Sequence, residues 1–283
     1  MFPKSSVATG FIFLKFIFLS LSLSLIILIF FFPFFWIITS SFKSPEEIIA
    51  TSTTIIPRSF TLEHYNKILF NSDFFIYLKN SLIVSFSSMI ISIILSVSAA
   101  YGLHKLKFYG NKFVEYSLLV TYAFPGVILL VPIYLLFAKV NLLNSYFALI
   151  VVNVLFATPF AVWMLKAFFK LIPNEIEEAA YIDGASRYIV ISRIIVPLAA
   201  PGIASVAIFC FIISWTEYLF ASILISGDDL KTLPVGLAGI VGQYQIDWGF
   251  LLSGAVLASL PVILLFVFIG KYFVSGLTEG AVK

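Results

Sequence analysis

The sequence predicts an all-α fold: a polytopic membrane protein with six transmembrane helices, forming a single transmembrane domain over residues 1–283. Composition points there first. Hydrophobic residues make up 61% and charged residues 11%, against about a quarter charged in a soluble domain, and mean hydropathy is +1.10. Six stretches, near 17–39, 81–103, 113–137, 145–165, 201–225 and 250–273, reach the roughly 20 apolar residues needed to cross a hydrocarbon core about 30 Å thick. They are rich in Phe, Ile and Leu with few ionised groups, which suits helices better than barrel strands. No stretch is left over for a separate soluble domain.

The first apolar run, Phe16 to Trp36, is too long for a signal-peptide core and has no small-residue cleavage site after it, so it reads as a retained span. A long loop, 40–78, follows with Pro45, Pro57 and a Ser/Thr cluster at 51–54, and is expected to be partly ordered. After the second span comes a short basic turn, 104–112. With the N-terminus inside, the cytoplasmic segments carry eleven Lys and Arg and the outer loops six, which favours both termini in the cytoplasm. The loop 226–249, with Asp228, Asp229 and several glycines, is then external. Cys210, inside the fifth span, is the only cysteine, so no intramolecular disulfide can form.

The third span contains Tyr122, Pro125, Gly126 and Pro132. Proline removes a backbone donor and clashes with the preceding turn, so this helix should kink or break. Broken helices at membrane depth often line substrate paths, and they also arise from simple packing adjustment. Asn153 and Thr158 with Pro159 in the fourth span read either as interhelical hydrogen-bonding groups or as pathway contacts. Glu217 lies well inside the fifth span, flanked by Trp215 and Tyr218. An acid there faces a wet cavity or a partner group, or sits at the outer interface within an aromatic belt. Tyr122, Asn153, Trp215, Glu217 and Tyr218 are the candidate pathway residues.

Between the fourth and fifth spans lies a polar island, 173–197. Asn174 followed three residues later by Glu177 has capping-box spacing, with Pro173 just before it. Glu175, Glu177 and Glu178 crowd the first turn, where negative charge suits the helix dipole. Ile176, Ala179, Ala180 and Ile182 supply a small apolar surface. Asp183-Gly184 ends this helix, because glycine adopts the left-handed conformation cheaply. A second helix is expected from Ala185, carrying Ile189, Ile194 and Ile195, with Pro197 interrupting it near the membrane. An amphipathic hairpin lying on the membrane would be basic and bulky on its two faces. This one is acidic and small-faced, which suits insertion into a groove on another protein.

Glu178-Ala179-Ala180, Gly184 four residues later, then Ile194 and Pro197, resembles the EAA loop of ATP-binding-cassette (ABC) importer permeases, with Val196 standing where the pattern usually has Leu. Asp183-Gly184-Ala185 resembles the version in carbohydrate importers. Further similarity runs through Asn80-Ser81-Leu82, Ala100-Tyr101-Gly102, Ile172-Pro173, Trp215-Thr216-Glu217-Tyr218, Thr232-Leu233-Pro234-Val235-Gly236 and the end Gly276 to Lys283. Thr216 stands where Asn is common. Together these are similar to the maltose-transporter-like permeases, in particular the subunit ending in Gly-Ala-Val-Lys. The resemblance implies an inner-membrane permease subunit importing a sugar or oligosaccharide. Its island would be a cytoplasmic coupling helix, with Glu178, Ala179, Ala180, Asp183, Gly184, Ala185, Ile194 and Pro197 engaging a separate ATPase, joined by Glu279 and Lys283 of the tail. Implied partners are a second homologous permease, two ATP-binding subunits that hold ATP and Mg, an extracytoplasmic solute-binding protein and the lipid bilayer.

The chain itself is expected to bind no cofactor and to be no enzyme. It has no Gly-x-x-x-x-Gly-Lys-Ser/Thr phosphate loop, and its two histidines, His64 and His104, are isolated. Basic residues are too scattered for nucleic acid. Alternatives are the same machinery carrying a polyamine or glycerophosphate, a stand-alone secondary transporter, and a signalling scaffold. The secondary transporter would favour paired intramembrane charges or an inverted repeat, and neither is visible in the sequence.

Overall fold

The computed structural model describes the backbone of residues 4–106, 108–239 and 246–281, and the side chains of 15–106, 108–239 and 246–270. The described residues form helices joined by loops and hold no strand. It divides into two compact units: residues 1–71 with 243–257, and residues 72–242 with 258–283.

The first unit begins with α1 (Lys4–Ser40), longer than the span expected at 17–39. Its exposed face from Phe16 to Phe35 is almost wholly apolar, as a lipid-facing helix requires. The loop after it is ordered. Ser44 caps α2 (Pro45–Ile49), and the Glu47 carboxylate accepts the Thr54 hydroxyl and the Arg58 backbone N–H. Lys43 is buried with its ammonium 4.4 Å from the Trp36 ring and 2.5 Å from the Thr54 carbonyl. From α3 (Glu63–Phe70), His64 meets the Lys43 carbonyl at 2.9 Å and Lys67 pairs with Asp247 at 2.5 Å.

The second unit is built on α4 (Phe74–Lys105), α5 (Asn111–Ala123), α6 (Gly126–Lys139) and α7 (Tyr146–Phe169). Packed between α4 and its neighbours is a row of small polar residues, Ser81, Ser85, Ser88, Ser92 and Ser96, all essentially inaccessible. Their three- and four-residue spacing puts them on one helix face, and small side chains let helix backbones approach closely in lipid. The Tyr146 hydroxyl donates to Asn80 Oδ1 at 2.6 Å, and twelve residues further along both helices Thr158 reaches Ser92 at 3.4 Å. α4 and α7 therefore run parallel.

That direction dictates what lies between them. The chain leaves α4 at one end of the bundle and enters α7 at the other, so α5 and α6 must carry it back. Glu115 of α5 pairs with Lys166 near the end of α7 at 2.5 Å, whereas Phe137 of α6 packs with Val84 and Leu149 near the starts of α4 and α7. The two helices are bent by 96° at Phe124-Pro125. Phe124 is extended (ψ 128°), as a residue before proline prefers, and Pro125 caps α6.

Beyond α7, the chain forms α8 (Asn174–Ile182), α9 (Arg187–Val190), a π-helical turn (Ile191–Ile195), α10 (Val196–Leu198) and α11 (Ala200–Trp215). The segment Arg187–Leu198 meets Ala200–Trp215 at 80°. Then come α12 (Ala221–Leu224), a short 3-10 turn (Asp228–Leu230) and α13 (Leu233–Ala238). Finally, α14 (Trp248–Ala281) contributes residues to both units. Among the described residues, four helices are long and apolar enough to cross a membrane, or up to six if each bent pair is one span.

Two apolar clusters close the second unit at opposite ends. One joins Ala100, Leu165, Phe169, Ala180, Val190, Ile195 and Ala199; the other joins Val84, Phe137, Leu149, Phe220 and Leu224. At the second end, Asn80 organises the segment after α12. Its Nδ2 donates to the Asp229 and Lys231 carbonyls at 2.9 and 2.8 Å, and the neighbouring Ser81 hydroxyl accepts the Leu233 N–H at 2.7 Å. Replacing Asn80 by Ala strips three hydrogen bonds from buried surroundings, a loss of about 1–3 kcal/mol. Limited proteolysis should then cut between Asp228 and Ala238 in the variant while the wild-type segment resists.

Candidate functional site

The polar island forms the expected helix–turn–helix, with one difference at its start. The spacing of Asn174 and Glu177 predicts a capping box, but Pro173 occupies the cap and Asn174 is already helical. Both side chains turn instead to Lys105, the last residue of α4. Its ammonium donates to Asn174 Oδ1 at 2.5 Å and lies 3.0 Å from Glu177 Oε1. A charged donor makes a stronger partner than a backbone N–H, and this competition overrides the local cap. Tyr101, one turn earlier on α4, donates to Glu177 Oε2 at 3.3 Å and shares a 3.1 Å hydrogen bond with Tyr181.

The turn is set by Gly184, whose φ of +84° is costly for any residue with a side chain. The Gly184 N–H bonds the Tyr181 carbonyl at 3.0 Å and the Ala185 N–H bonds the Ala180 carbonyl at 2.9 Å. This pair of bonds satisfies the last carbonyls of α8 in a Schellman arrangement. The second helix starts at Arg187, after Ser186, rather than at Ala185. The Val196 N–H reaches back to the Ile191 carbonyl, and Pro197 has no N–H to offer Arg193. The widened π turn lies directly before that missing donor.

The hairpin has two faces. Glu177 and Ala180 are buried against the bundle, and Ile194 packs on its apolar cluster. Glu178, Ala179, Asp183, Gly184 and Pro197 are exposed, with Ala185 half-buried. Of the small apolar surface, Ile176, Ala179 and Ile182 are uncovered, Ile182 at 85% exposure, and Tyr188 beyond the turn at 79%. A hollow of about 230 Å³ lies beside this face, lined by Lys105, Glu177, Glu178 and Arg187 among others. The result is an anchored, uncovered hairpin at one end of a helix bundle.

The five pathway candidates are placed as follows. Tyr122 sits at the end of α5 before the 96° break, its ring 4.9 Å from that of Phe160. Asn153 is buried and donates to the Leu149 carbonyl at 2.9 Å, with its Oδ1 unmatched. Trp215 is buried, stacks on Phe211 and donates to the Ala258 carbonyl at 3.2 Å. Tyr218 is half exposed. Glu217 serves the backbone. After α11 ends at Trp215, its carboxylate accepts the Phe220 and Ala221 N–H groups at 2.7 and 2.9 Å, capping α12. Of the tail residues, Lys283 lies outside the described residues, as does the Glu279 side chain.

Several positions matter more than sequence reasoning assigned. Lys105 counts there only as topological charge, yet it holds the hairpin. Lys166 and Glu115 form a half-buried ion pair that loop counting cannot reveal. The serine row on α4 does carry a signal, its helical spacing.

Residues 92–279 match the family described as binding-protein-dependent transport system inner membrane component. The inner membrane ABC transporter permease protein YcjP of Escherichia coli is 39% identical over 256 residues, covering 89% of this chain and 91% of the relative. The trehalose/maltose transport system permease protein MalG of Thermococcus litoralis is 33% identical over 255 residues, covering 89% and 91%. A chain in the crystal structure of a bacterial ABC transporter involved in the import of the acidic polysaccharide alginate shares the fold. Its TM-score is 0.79 at 21% identity, covering 96% of this chain and 99% of that one.

Removing the Glu217 carboxylate leaves two backbone N–H groups without their acceptor at a helix break. Glu217→Ala should lower unfolding stability by about 1–3 kcal/mol, read as a drop in melting temperature in detergent. Glu217→Gln, which keeps one carbonyl acceptor, should recover part of it.

Proposed function

This chain belongs to the binding-protein-dependent transport system inner membrane component family, and we propose that it is a permease subunit importing a sugar or oligosaccharide, driven by ATP hydrolysed on separate subunits. It works with a second homologous permease, two ATP-binding subunits carrying ATP and Mg, and an extracytoplasmic solute-binding protein. The observation that carries this reading is the hairpin: held to the bundle on one face, and uncovered on the other over Ile176, Glu178, Ala179 and Ile182. Such a surface, small and apolar with acids at its edge, fits a groove on a folded partner.

Six crossings fit four long apolar helices and two bent pairs among the described residues. Parallel α4 and α7 require a return between them, and the bent pair α5 and α6 supplies it. With the excess of Lys and Arg on the hairpin's side, the hairpin and both termini are cytoplasmic. The 173–197 loop is then the coupling element. In it Glu178, Ala179, Asp183, Gly184 and Ala185 form the docking edge, Ala180 and Ile194 the seat on the bundle, and Pro197 the junction with the membrane, with Glu279 and Lys283 supplementing the contact. Tyr122, Asn153, Trp215, Glu217 and Tyr218 border the solute route, at or near the helix breaks. The sugar assignment draws on the trehalose/maltose relative and on Asp183-Gly184-Ala185.

Closure of the ATPase pair displaces the docked hairpin and biases the spans between outward-open and inward-open packings. The ATPase must bind the hairpin differently in its two states, because equal affinity shifts nothing. Gly184→Pro cannot adopt φ +84°, and Glu178→Arg reverses the exposed charge. Each should reduce sugar uptake in vesicles by about tenfold or more, a coupling loss of at least ~1.4 kcal/mol, with normal amounts of the chain in the membrane. Wild-type uptake in either variant contradicts the assignment.

A further inference from the structure

We propose that Lys105 is a positioning residue that ties the hairpin to α4, making α4 the rod that carries hairpin movement to the opposite end of the bundle. The inference rests on the hairpin being the ATPase-docking element. It adds a second route out of the hairpin, through a helix to which the hairpin is not covalently joined.

The two helices that continue the hairpin in sequence transmit displacement poorly. On the downstream side, a π turn, Pro197 and an 80° bend separate the hairpin from α11, which itself ends at Trp215. Upstream, α7 carries Pro159 in its middle. Each missing N–H is a point where a helix flexes. Prolines also interrupt α1 at Pro33, α6 at Pro132 and α14 at Pro261. By contrast, α4 runs 32 residues, FFIYLKNSLIVSFSSMIISIILSVSAAYGLHK, without one. It packs along both α7 and α11.

Both ends of α4 are fastened. At the hairpin end, Lys105 spans Asn174 and Glu177, and Tyr101 reaches Glu177 and Tyr181. The Glu177 side chain is 6% exposed and that of Lys105 16%. Two adjacent acids therefore divide the work: Glu178 faces outward, and Glu177 faces the bundle. Twenty-five residues earlier, about 38 Å along the helix at 1.5 Å per residue, Asn80 and Ser81 hold the backbone of Asp229, Lys231 and Leu233. A shift of α8 pulls Lys105, moves α4 along its serine-lined track, and displaces the 229–233 segment. In the track, Ser85 and Ser88 have no hydrogen-bond partner, and the bonds that a slide must lengthen are the long ones from Thr158 to Ser92 at 3.4 Å and from Ser96 to the Thr158 carbonyl at 3.5 Å.

The test uses the assembled permease–ATPase complex in proteoliposomes, with a solvatochromic dye on Asp228→Cys in a Cys210→Ser background. Asp228 is well exposed and lies at the far end. Two quantities are read: the dye response to a non-hydrolysable ATP analogue, and solute taken up per ATP hydrolysed. Lys105→Met should still co-purify with the ATPase but lose the dye response, and uptake per ATP should fall by about 5- to 150-fold, the usual span of allosteric coupling. The charge swap Lys105→Glu with Glu177→Lys should restore both. A wild-type dye response and ratio in Lys105→Met overturns the proposal and leaves the docking assignment standing, as does a swap that restores neither. Should Lys105→Met fail to assemble, Tyr101→Phe is read instead, and an unchanged dye response there overturns it equally. Absence of any ATPase in the wild-type complex removes the docking assignment itself, and this proposal with it.

Discussion

The parallel contact between α4 and α7 is the constraint from which the second unit follows. Two helices that touch along their length while pointing the same way cannot be joined by a turn; the chain must come back between them. That requirement makes the bent α5–α6 pair an integral part of the bundle. It also brings the end of α4 beside the segment that emerges from α7, so Lys105 meets Asn174 and Glu177 across a gap of some seventy residues in sequence. Close approach of the two helices depends on the serine row of α4, since bulkier side chains would hold them apart.

A second constraint comes from the surrounding solvent. Lipid offers no hydrogen bonds, so each helix break must find its own donors and acceptors. The breaks here solve this differently. At Pro125 the break falls where one donor is missing by chemistry. Before Pro197 the helix widens to a π turn. After Trp215 the Glu217 carboxylate takes over two N–H groups. An acid inside an apolar segment thus has a backbone role as well as any role toward a solute.

What the sequence makes legible is whatever is decided locally. The apolar runs announce the helices because burial in lipid is a per-residue property. Asp183-Gly184 announces the turn because only glycine takes φ +84° without strain. Phe124-Pro125 announces a break, though not its 96° angle. The capping box of Asn174 and Glu177 is legible too, and it does not form, because the competing donor is Lys105 from another helix. In the same way Asn80 looks like one polar residue at a span's start until the chain folds and supplies three carbonyl and hydroxyl neighbours. Glu217 is ambiguous for a related reason: a carboxylate four residues ahead of a four-residue helix is invisible as a cap while α11 and α12 read as one span. Ion pairs such as Glu115–Lys166 depend on which helices become neighbours, and one-dimensional charge counting does not contain that information.

The central claim is that the hairpin of α8 and α9 lies in the cytoplasm and seats in a separate ATPase subunit. It is tested most directly with a single cysteine at Ile182, the most exposed apolar residue of α8, in a chain whose buried Cys210 is replaced by serine. The assembled complex is treated with a membrane-impermeant maleimide and a short thiol cross-linker in sealed vesicles of both orientations. The account predicts labelling only where the cytoplasmic face is accessible, and a cross-linked adduct with the ATP-binding subunit. Labelling from the opposite face, or cross-linking that never captures that subunit, would contradict it.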